Sequence, residues 1–146
     1  MTDGQDIVCR ERFTVAGRDF GRAGSVSTTI KSMLKQIGFP PDVIRRVAIA
    51  TYEAEMNVVV YAERATVTCE VTPAGITVTL KDQGSGIADI EQAMQEGFST
   101  ATDEIREMGF GAGMGLPNMK RNADDLQVTS EVGVGTTVRI SVLAKQ

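Results

Sequence analysis

The stretch Lys81-Asp82-Gln83-Gly84-Ser85-Gly86-Ile87 carries the strongest indication of the fold. It follows a segment of alternating apolar and polar residues and places a carboxylate two residues before a Gly-x-Gly turn. Glycines let the backbone turn sharply and approach a flat ring without an intervening Cβ. Acidic side chains accept a hydrogen bond from the amino group of cytosine, and the amino group of adenine is an equivalent donor. Alone, the motif is also compatible with an ordinary Asp-Gly turn.

A second glycine cluster, Gly109-Phe110-Gly111-Ala112-Gly113-Met114-Gly115, directly precedes a predicted helix. Glycines at alternate positions disfavour a helix or a strand, and they suit a loop whose amides converge on an anion at a helix N-terminus. The spacing matches neither Gly-x-Gly-x-x-Gly nor the P-loop, which requires Gly-Lys-Ser/Thr. A flexible surface loop is the alternative, which the interleaved residues Phe110, Met114 and Leu116 disfavour.

Two polar residues, Glu53 and Asn57, interrupt a predicted helix that is otherwise mostly apolar. They are four residues apart, so their side chains share one face of the helix. Buried polar groups need partners, because an unpaired one costs about 1–3 kcal/mol. One interpretation is that the two side chains satisfy each other and the sheet backbone. The other is that, together with both glycine clusters, they form a purine-nucleotide pocket with a base acceptor, a carbonyl for a metal ion and amides for phosphates.

The composition of the whole chain narrows the class of function. Its 146 residues, 42% apolar and 23% charged, predict a single domain spanning 1–146 with a hydrophobic core. The net charge is -4 and no block of Lys or Arg stands out, which argues against nucleic acid as a partner. The chain contains no histidine. This excludes Ser-His-Asp and Cys-His catalysis, most zinc sites, and a kinase that phosphorylates its own histidine.

The apolar and terminal segments predict a cytoplasmic protein without a membrane partner. Apolar runs such as Val58-Val59-Val60 are too short to span a bilayer. The polar, acidic segment 1–6 does not have the composition of a signal peptide. The cysteines Cys9 and Cys69 are isolated, which fits ordinary strand residues in a reducing compartment.

Hydrophobic periodicity predicts an α+β fold: a two-layer α/β sandwich with a mixed, mainly antiparallel sheet and helices on one face. Ser25 is placed to cap the first helix and Gly38 to end it. The predicted order is a strand at 9–15, helices at 25–37 and 42–61, strands at 66–72 and 76–81, helices at 88–96 and 116–123, and strands at 126–131 and 136–143.

Taken in order, these segments resemble the GHKL or Bergerat-fold family, which includes gyrase B, Hsp90, sensor histidine kinases and MutL. Glu53-x-x-x-Asn57 resembles its N box, Asp82-x-Gly84-x-Gly86 its first glycine box, and Gly111-x-Gly113-x-Gly115-Leu116 its second. Gly133-Val134-Gly135-Thr136-Thr137 resembles the last box, whose threonine helps to hold adenine. Each box alone is a weak indication of the family, but the set of boxes in this order, which spans about residues 42–142, is specific to it.

Within that family, the chain is similar to bacterial anti-sigma-factor serine/threonine kinases, particularly the stressosome switch kinases, through segments 82–90 and 96–100. The resemblance implies ATP and Mg²⁺ as cofactors, with Glu53 as general base, Asn57 as Mg²⁺ ligand and segment 109–115 as the ATP lid. The nucleotide contacts that it implies are Asn57, Asp82, Gly84, Gly86, Ile87, Thr100, Gly109, Gly111, Ala112, Gly113, Met114, Gly115, Leu116 and Thr137.

The implied partner is a small protein substrate similar to an anti-sigma-factor antagonist, with a sigma factor or a phosphatase as further partners and a homodimer as one assembly state.

Two features depart from the family pattern: Tyr61 stands where related kinases often have histidine, and the lid carries an acidic insert at 102–107. Lys120 and Arg121 lie just past the lid, where they either neutralise phosphates or form a solvated helix face. Three functions are compatible with the motifs: protein kinase, ATP-dependent partner-binding regulator without transfer, and slow ATPase.

Overall fold

A computed structural model describes residues 7–97 and 114–144 of the chain. Within these ranges the elements alternate between a single sheet and the helices packed on it. In chain order they are β1 (Cys9–Ala16), a 3-10 turn (Phe20–Arg22), α1 (Ser25–Ile37), α2 (Pro41–Tyr61), β2 (Ala62–Thr72), β3 (Gly75–Gly84), α3 (Ile90–Ala93), α4 (Gly115–Asn122), β4 (Asp125–Glu131) and β5 (Gly135–Leu143).

The five strands form one sheet in the order β1-β2-β3-β5-β4, and each neighbouring pair is antiparallel. The side chains alternate as expected for a sheet with a single covered face. In β3, Ile76, Val78 and Leu80 are buried, whereas Thr77 and Thr79 between them are only partly covered. The α+β fold, with a two-layer sandwich and a mainly antiparallel sheet, is therefore confirmed.

Helix α2 is the centre of the helical layer. It packs on the inner strands and lies between α1 and α4. Eleven of its residues are buried, which explains why its apolar residues extend beyond a single stripe. None of the helices within 7–97 and 114–144 combines the length and apolar character that a membrane span requires. Cys69 lies in this core, where burial raises the pKa of its thiol to about 12.

The N-terminus of α1 differs from the sequence-based expectation. Gly24, not Ser25, is the N-cap, and no side chain of the cap residue bonds the first turn. The carboxylate of Glu55 on α2 takes that role: it accepts from the backbone N–H of Gly24 (3.1 Å), Val26 (3.1 Å) and Ser27 (3.0 Å). This side chain is 1% exposed, and the amides of a helix N-terminus are suitable partners for a buried carboxylate.

Two other boundaries were predicted inaccurately. Strand β2 begins at Ala62, directly after α2, because a register shift between Ala62 and Arg64 lets the chain leave the helix without a loop. The helix expected at 88–96 is a single turn, Ile90–Ala93, capped by the Asp89 side chain, which accepts from the N–H of Gln92. Only one of its residues, Ala93, packs on the core, so little apolar burial supports a longer helix.

Candidate functional site

A cavity of about 730 Å³ opens between α2, the ends of β3 and β5, the loop after β3 and the start of α4. This volume is within the range of small-molecule sites. Most of the sequence-predicted residues of the described ranges line it: Glu53, Asn57, Asp82, Gly84, Gly86, Ile87, Met114, Gly115 and Leu116. Segments from residue 53 to residue 136 therefore meet around one cavity.

Glu53 and Asn57 both face this cavity from α2 and are partly exposed. They do not satisfy each other. Glu53 Oε2 accepts a hydrogen bond from Nδ2 of Asn118 on α4, at 3.1 Å. Within the described ranges no side-chain hydrogen-bond partner is recorded for Asn57, which leaves its carbonyl oxygen available to a cation or a ligand.

Asp82, near the end of β3, is held by the neighbouring strand. Its Oδ1 accepts a hydrogen bond from the backbone N–H of Thr136 on β5, at 2.9 Å. Partial burial raises the pKa of this carboxyl above its ordinary value of 3.8, and the bond from Thr136 offsets part of that effect. Because one oxygen is committed to the backbone, Oδ2 is the oxygen left to receive a donor in the cavity.

The Gly-x-Gly loop is locked against the β4–β5 turn. Gly86 has φ +78°, and a Cβ there would lie 2.5 Å from the Glu131 carbonyl oxygen, so only glycine fits. The next residue, Ile87, donates its backbone N–H to Ser130 Oγ at 2.7 Å, and the N–H of Gly133 bonds the carbonyl of Ser85 at 2.8 Å. The loop that follows Asp82 is thus fixed by residues almost fifty positions later.

The first turn of α4 packs directly on Asn57. A Cβ on Gly115 would lie 3.1 Å from Asn57 Oδ1, closer than side chains usually tolerate. The absence of a side chain at Gly115 therefore allows the first turn of α4 to lie this close to the carboxamide. Leu116 is 5% exposed and belongs to the core, so it anchors this turn as well as lining the cavity.

The hydroxyl on the cavity side of β5 belongs to Thr136 rather than to Thr137, which the sequence predicted. Thr136 lines the cavity, and Thr137 is absent from the lining residues that the structure describes. Successive side chains of a strand point to opposite faces, so a one-residue offset moves the hydroxyl to the other side of the sheet. Thr136 Oγ1 also lies 2.8 Å from Ser130 Oγ, which connects it to the Gly-x-Gly loop.

Several predicted residues lie outside the described ranges. These are Thr100, Gly109, Gly111, Ala112 and Gly113, together with the acidic insert at 102–107.

Arg121 is described, and it forms an ion pair with Glu96 and donates to Asn118 Oδ1. Neither Arg121 nor its neighbour Lys120 is among the described residues that line the cavity.

Sequence reasoning missed three residues with clear structural roles: Asn118, Ser130 and Glu55. Each acts through a partner far away in the chain, such as Asn118 on Glu53, 65 positions earlier. No local spacing in the sequence indicates such a pair. The only available signal was the position of Asn118 on the helix that follows the second glycine cluster.

Comparison with known proteins finds a matching family and several similar proteins. Residues 18–142 match the family described as the histidine kinase-like ATPase domain. The serine/threonine-protein kinase RsbT of Bacillus subtilis (strain 168) is 31% identical over an alignment of 129 residues that covers 86% of this chain and 84% of that protein. An anti-sigma F factor of Caldanaerobacter subterraneus subsp. tengcongensis is 32% identical over an alignment of 119 residues that covers 78% of this chain and 80% of that protein.

A solved structure shares the fold at low sequence identity. It is the crystal structure of the SiaB-SiaC complex from Pseudomonas aeruginosa, with a TM-score of 0.62 and 14% identity, covering 95% of this chain and 91% of the matched one. The likeness supports the fold alone, whereas the family match covers residues that carry the candidate site. The chain belongs to the family of histidine kinase-like ATPase domains.

Proposed function

We propose that this chain is an ATP-dependent protein serine/threonine kinase that regulates a partner-switching pathway, with residues 1–146 acting as one domain in the cytoplasm. The observation that carries the proposal is the convergence of Glu53, Asn57 and Asp82 on one cavity of about 730 Å³. The similarity to a serine/threonine-protein kinase and to an anti-sigma F factor supports the type of reaction and the pathway class.

The base of ATP would be recognised at Asp82. Its Oδ1 is occupied by the Thr136 N–H, so Oδ2 can accept from the adenine amino group. Thr136 Oγ1 lies on the same side of the sheet and offers a second polar contact. The backbone of the Gly84–Gly86 turn provides a flat edge for the ring, because no Cβ projects from either glycine.

The phosphates would extend towards the first turn of α4. Backbone N–H groups at the N-terminus of a helix favour anions, and Gly115, which has no side chain, allows this turn to lie close to Asn57. Asn57 Oδ1 fits the oxygen ligand that Mg²⁺ prefers, and this ion usually has few protein ligands. Bound with ATP, Mg²⁺ would neutralise negative charge on the phosphates during transfer.

Glu53 would take the proton from the incoming hydroxyl. It lies one helical turn from Asn57 and faces the same cavity, so a serine or threonine hydroxyl placed at the γ-phosphate would come within reach of its carboxylate. The hydroxyl oxygen would form a bond to the γ-phosphorus while the bond from that phosphorus to the β–γ bridging oxygen breaks; the hydroxyl proton would pass to Glu53, and ADP would leave.

The partner would be a small antagonist-type protein that presents the hydroxyl. The anti-sigma F factors among the relatives, and the SiaC chain in the structural neighbour, motivate this class of partner. A sigma factor or a phosphatase as a second partner, and a homodimer as the assembly state, are further parts of the proposal.

The test is transfer of labelled γ-phosphate from ATP to antagonist-type proteins taken from the same host. Wild type should label at least one of them on a serine or threonine. Glu53→Gln should lower the rate about 10²- to 10⁴-fold, the usual contribution of a general base, while its affinity for Mg·ATP stays within about threefold of wild type.

Full transfer by Glu53→Gln would reject Glu53 as the base. Stable, ATP-dependent binding of a partner without any labelling would instead support the alternative function, a regulator that uses ATP as an affinity switch.

A further inference from the structure

Asn118 on α4 makes the one described side-chain hydrogen bond to Glu53. Its Nδ2 lies 3.1 Å from Glu53 Oε2, and both side chains are partly buried and line the same cavity. The contact joins two helices that pack against each other along the site. A bond from an amide to a carboxylate in such a setting is stronger than one between neutral groups.

The orientation of the Asn118 amide is determined by Arg121. One turn later on α4, Arg121 Nη1 donates to Asn118 Oδ1 at 3.2 Å. Arginine has only donors, so it must face the oxygen, and the NH₂ group must therefore face Glu53. Rotating the amide by 180° would oppose two donors at Arg121 and two acceptors at Glu53. Arg121 is held in turn by its ion pair with Glu96.

This arrangement fixes one of the two oxygen atoms of the Glu53 carboxylate, Oε2. With Oε2 bound by Asn118, the side chain loses rotational freedom and Oε1 is the oxygen left to receive a proton from the cavity. A general base is effective only within hydrogen-bond reach of the proton that it accepts, and small misplacements of such groups lower rates strongly.

We propose that Asn118 is a positioning residue for Glu53: it holds the carboxylate so that Oε1 faces the substrate hydroxyl. The proposal rests on the proposed function, since it requires Glu53 to act as the base. It assigns Asn118 no contact with the phosphates.

The test is single-turnover phosphate transfer by Asn118→Leu to the partner protein that wild type labels. Leucine is similar in size to asparagine but lacks the NH₂ donor. The rate at saturating ATP should fall about 10- to 100-fold, as expected for loss of one hydrogen bond to a charged group. The affinity for Mg·ATP should change less than threefold. Asn122→Leu is the matched control. Asn122 lies one turn later on α4, and among the described residues its side-chain amide bonds only the backbone carbonyl of Asn118. The transfer rate of this variant should equal that of wild type.

Asn118→Asp gives a second variant of nearly identical shape, should the leucine variant fold poorly. It also lacks the NH₂ donor, and it should lose transfer to a similar extent. A rate within twofold of the Asn122→Leu control in both variants would overturn the proposal.

Combination with Glu53→Gln separates the two claims. If Asn118 acts through Glu53, adding Asn118→Leu to Glu53→Gln should slow the residual transfer less than twofold. A loss as large as that caused by Asn118→Leu in the wild-type protein would refute the positioning role. Full activity of Glu53→Gln alone would reject the base itself. A strong defect of Glu53→Gln beside a normal Asn118→Leu would reject only the role of Asn118.

Discussion

At the scale of single residues, the two oxygens of Asp82 have different tasks. Oδ1 accepts the Thr136 N–H that joins β3 to β5, and Oδ2 remains for a ligand. Aspartate supports both tasks because its carboxylate only accepts hydrogen bonds. An asparagine would keep the bond to Thr136 through its oxygen and would then present an NH₂ group to the adenine amino group, which is also a donor.

Asp82→Asn should therefore weaken ATP binding about 10- to 100-fold at pH 7, the range expected for replacing a charged acceptor by a donor. Calorimetric titration with Mg·ATP measures the effect. Equal affinity of the two proteins at pH 7 would rule out Asp82 as the base contact.

The same comparison has a defined pH dependence. Burial raises the pKa of Asp82 above 3.8, so in the folded protein the carboxyl takes up its proton at a higher pH than an exposed aspartate does. The contact with adenine is present above that raised pKa and is lost as the pH falls through it. The ratio of the ATP affinity of wild type to that of Asp82→Asn should therefore decrease as the pH falls. Protonation of ATP itself affects both proteins equally, so it cancels in this ratio.

At the scale of elements, Glu55 connects α1 to α2. Its carboxylate accepts three backbone N–H groups at the start of α1 while the side chain is 1% exposed. Glu53 and Asn57, which flank it on α2, face the cavity instead. The same helix thus uses one acid for packing and offers another for chemistry, because a two-residue step turns a side chain to a different face.

Glu55→Gln should lower the free energy of unfolding by about 2–4 kcal/mol, since an amide has one acceptor oxygen for three backbone N–H donors and places an NH₂ donor among them. Urea unfolding followed by circular dichroism measures it. The matched control is Glu63→Gln, whose side chain is exposed, and it should change stability by less than about 0.5 kcal/mol. Equal stability of the two variants would contradict the capping role of Glu55.

The sequence predicted those parts of the site that depend on local patterns. Asp82, Gly84 and Gly86 come at the end of a segment with clear alternation, and Glu53 and Asn57 share one face of a helix, so their placement could be argued from spacing. Thr137 was named from the resemblance to the last box, whereas Thr136 is the threonine that lines the cavity, because the pleat of β5 decides which of two successive side chains faces it. Asn118 could not be found at all, since its partner is set by the packing of α2 against α4.

At the scale of the whole molecule, the sheet order brings distant motifs together. Strand β5 lies between β3 and β4, so the turn before β5 reaches the loop after β3. The register pairs Lys81 with Thr137, and Asp82 then meets the Thr136 N–H at the edge of the cavity. Helix α4 closes the arrangement from the other side by packing on α2. The cavity is therefore a consequence of topology and cannot form from any one motif.

The most direct test of the central claim, one cavity for Mg·ATP built from dispersed segments, is a titration of the ¹⁵N-labelled chain with Mg·ATP followed by amide NMR spectra. We predict shifts concentrated in residues 53–57, 82–87, 114–116 and 136, with amides of β1 and the first half of β2 unchanged. Shifts confined to other surfaces, or no shifts at millimolar Mg·ATP, would contradict it.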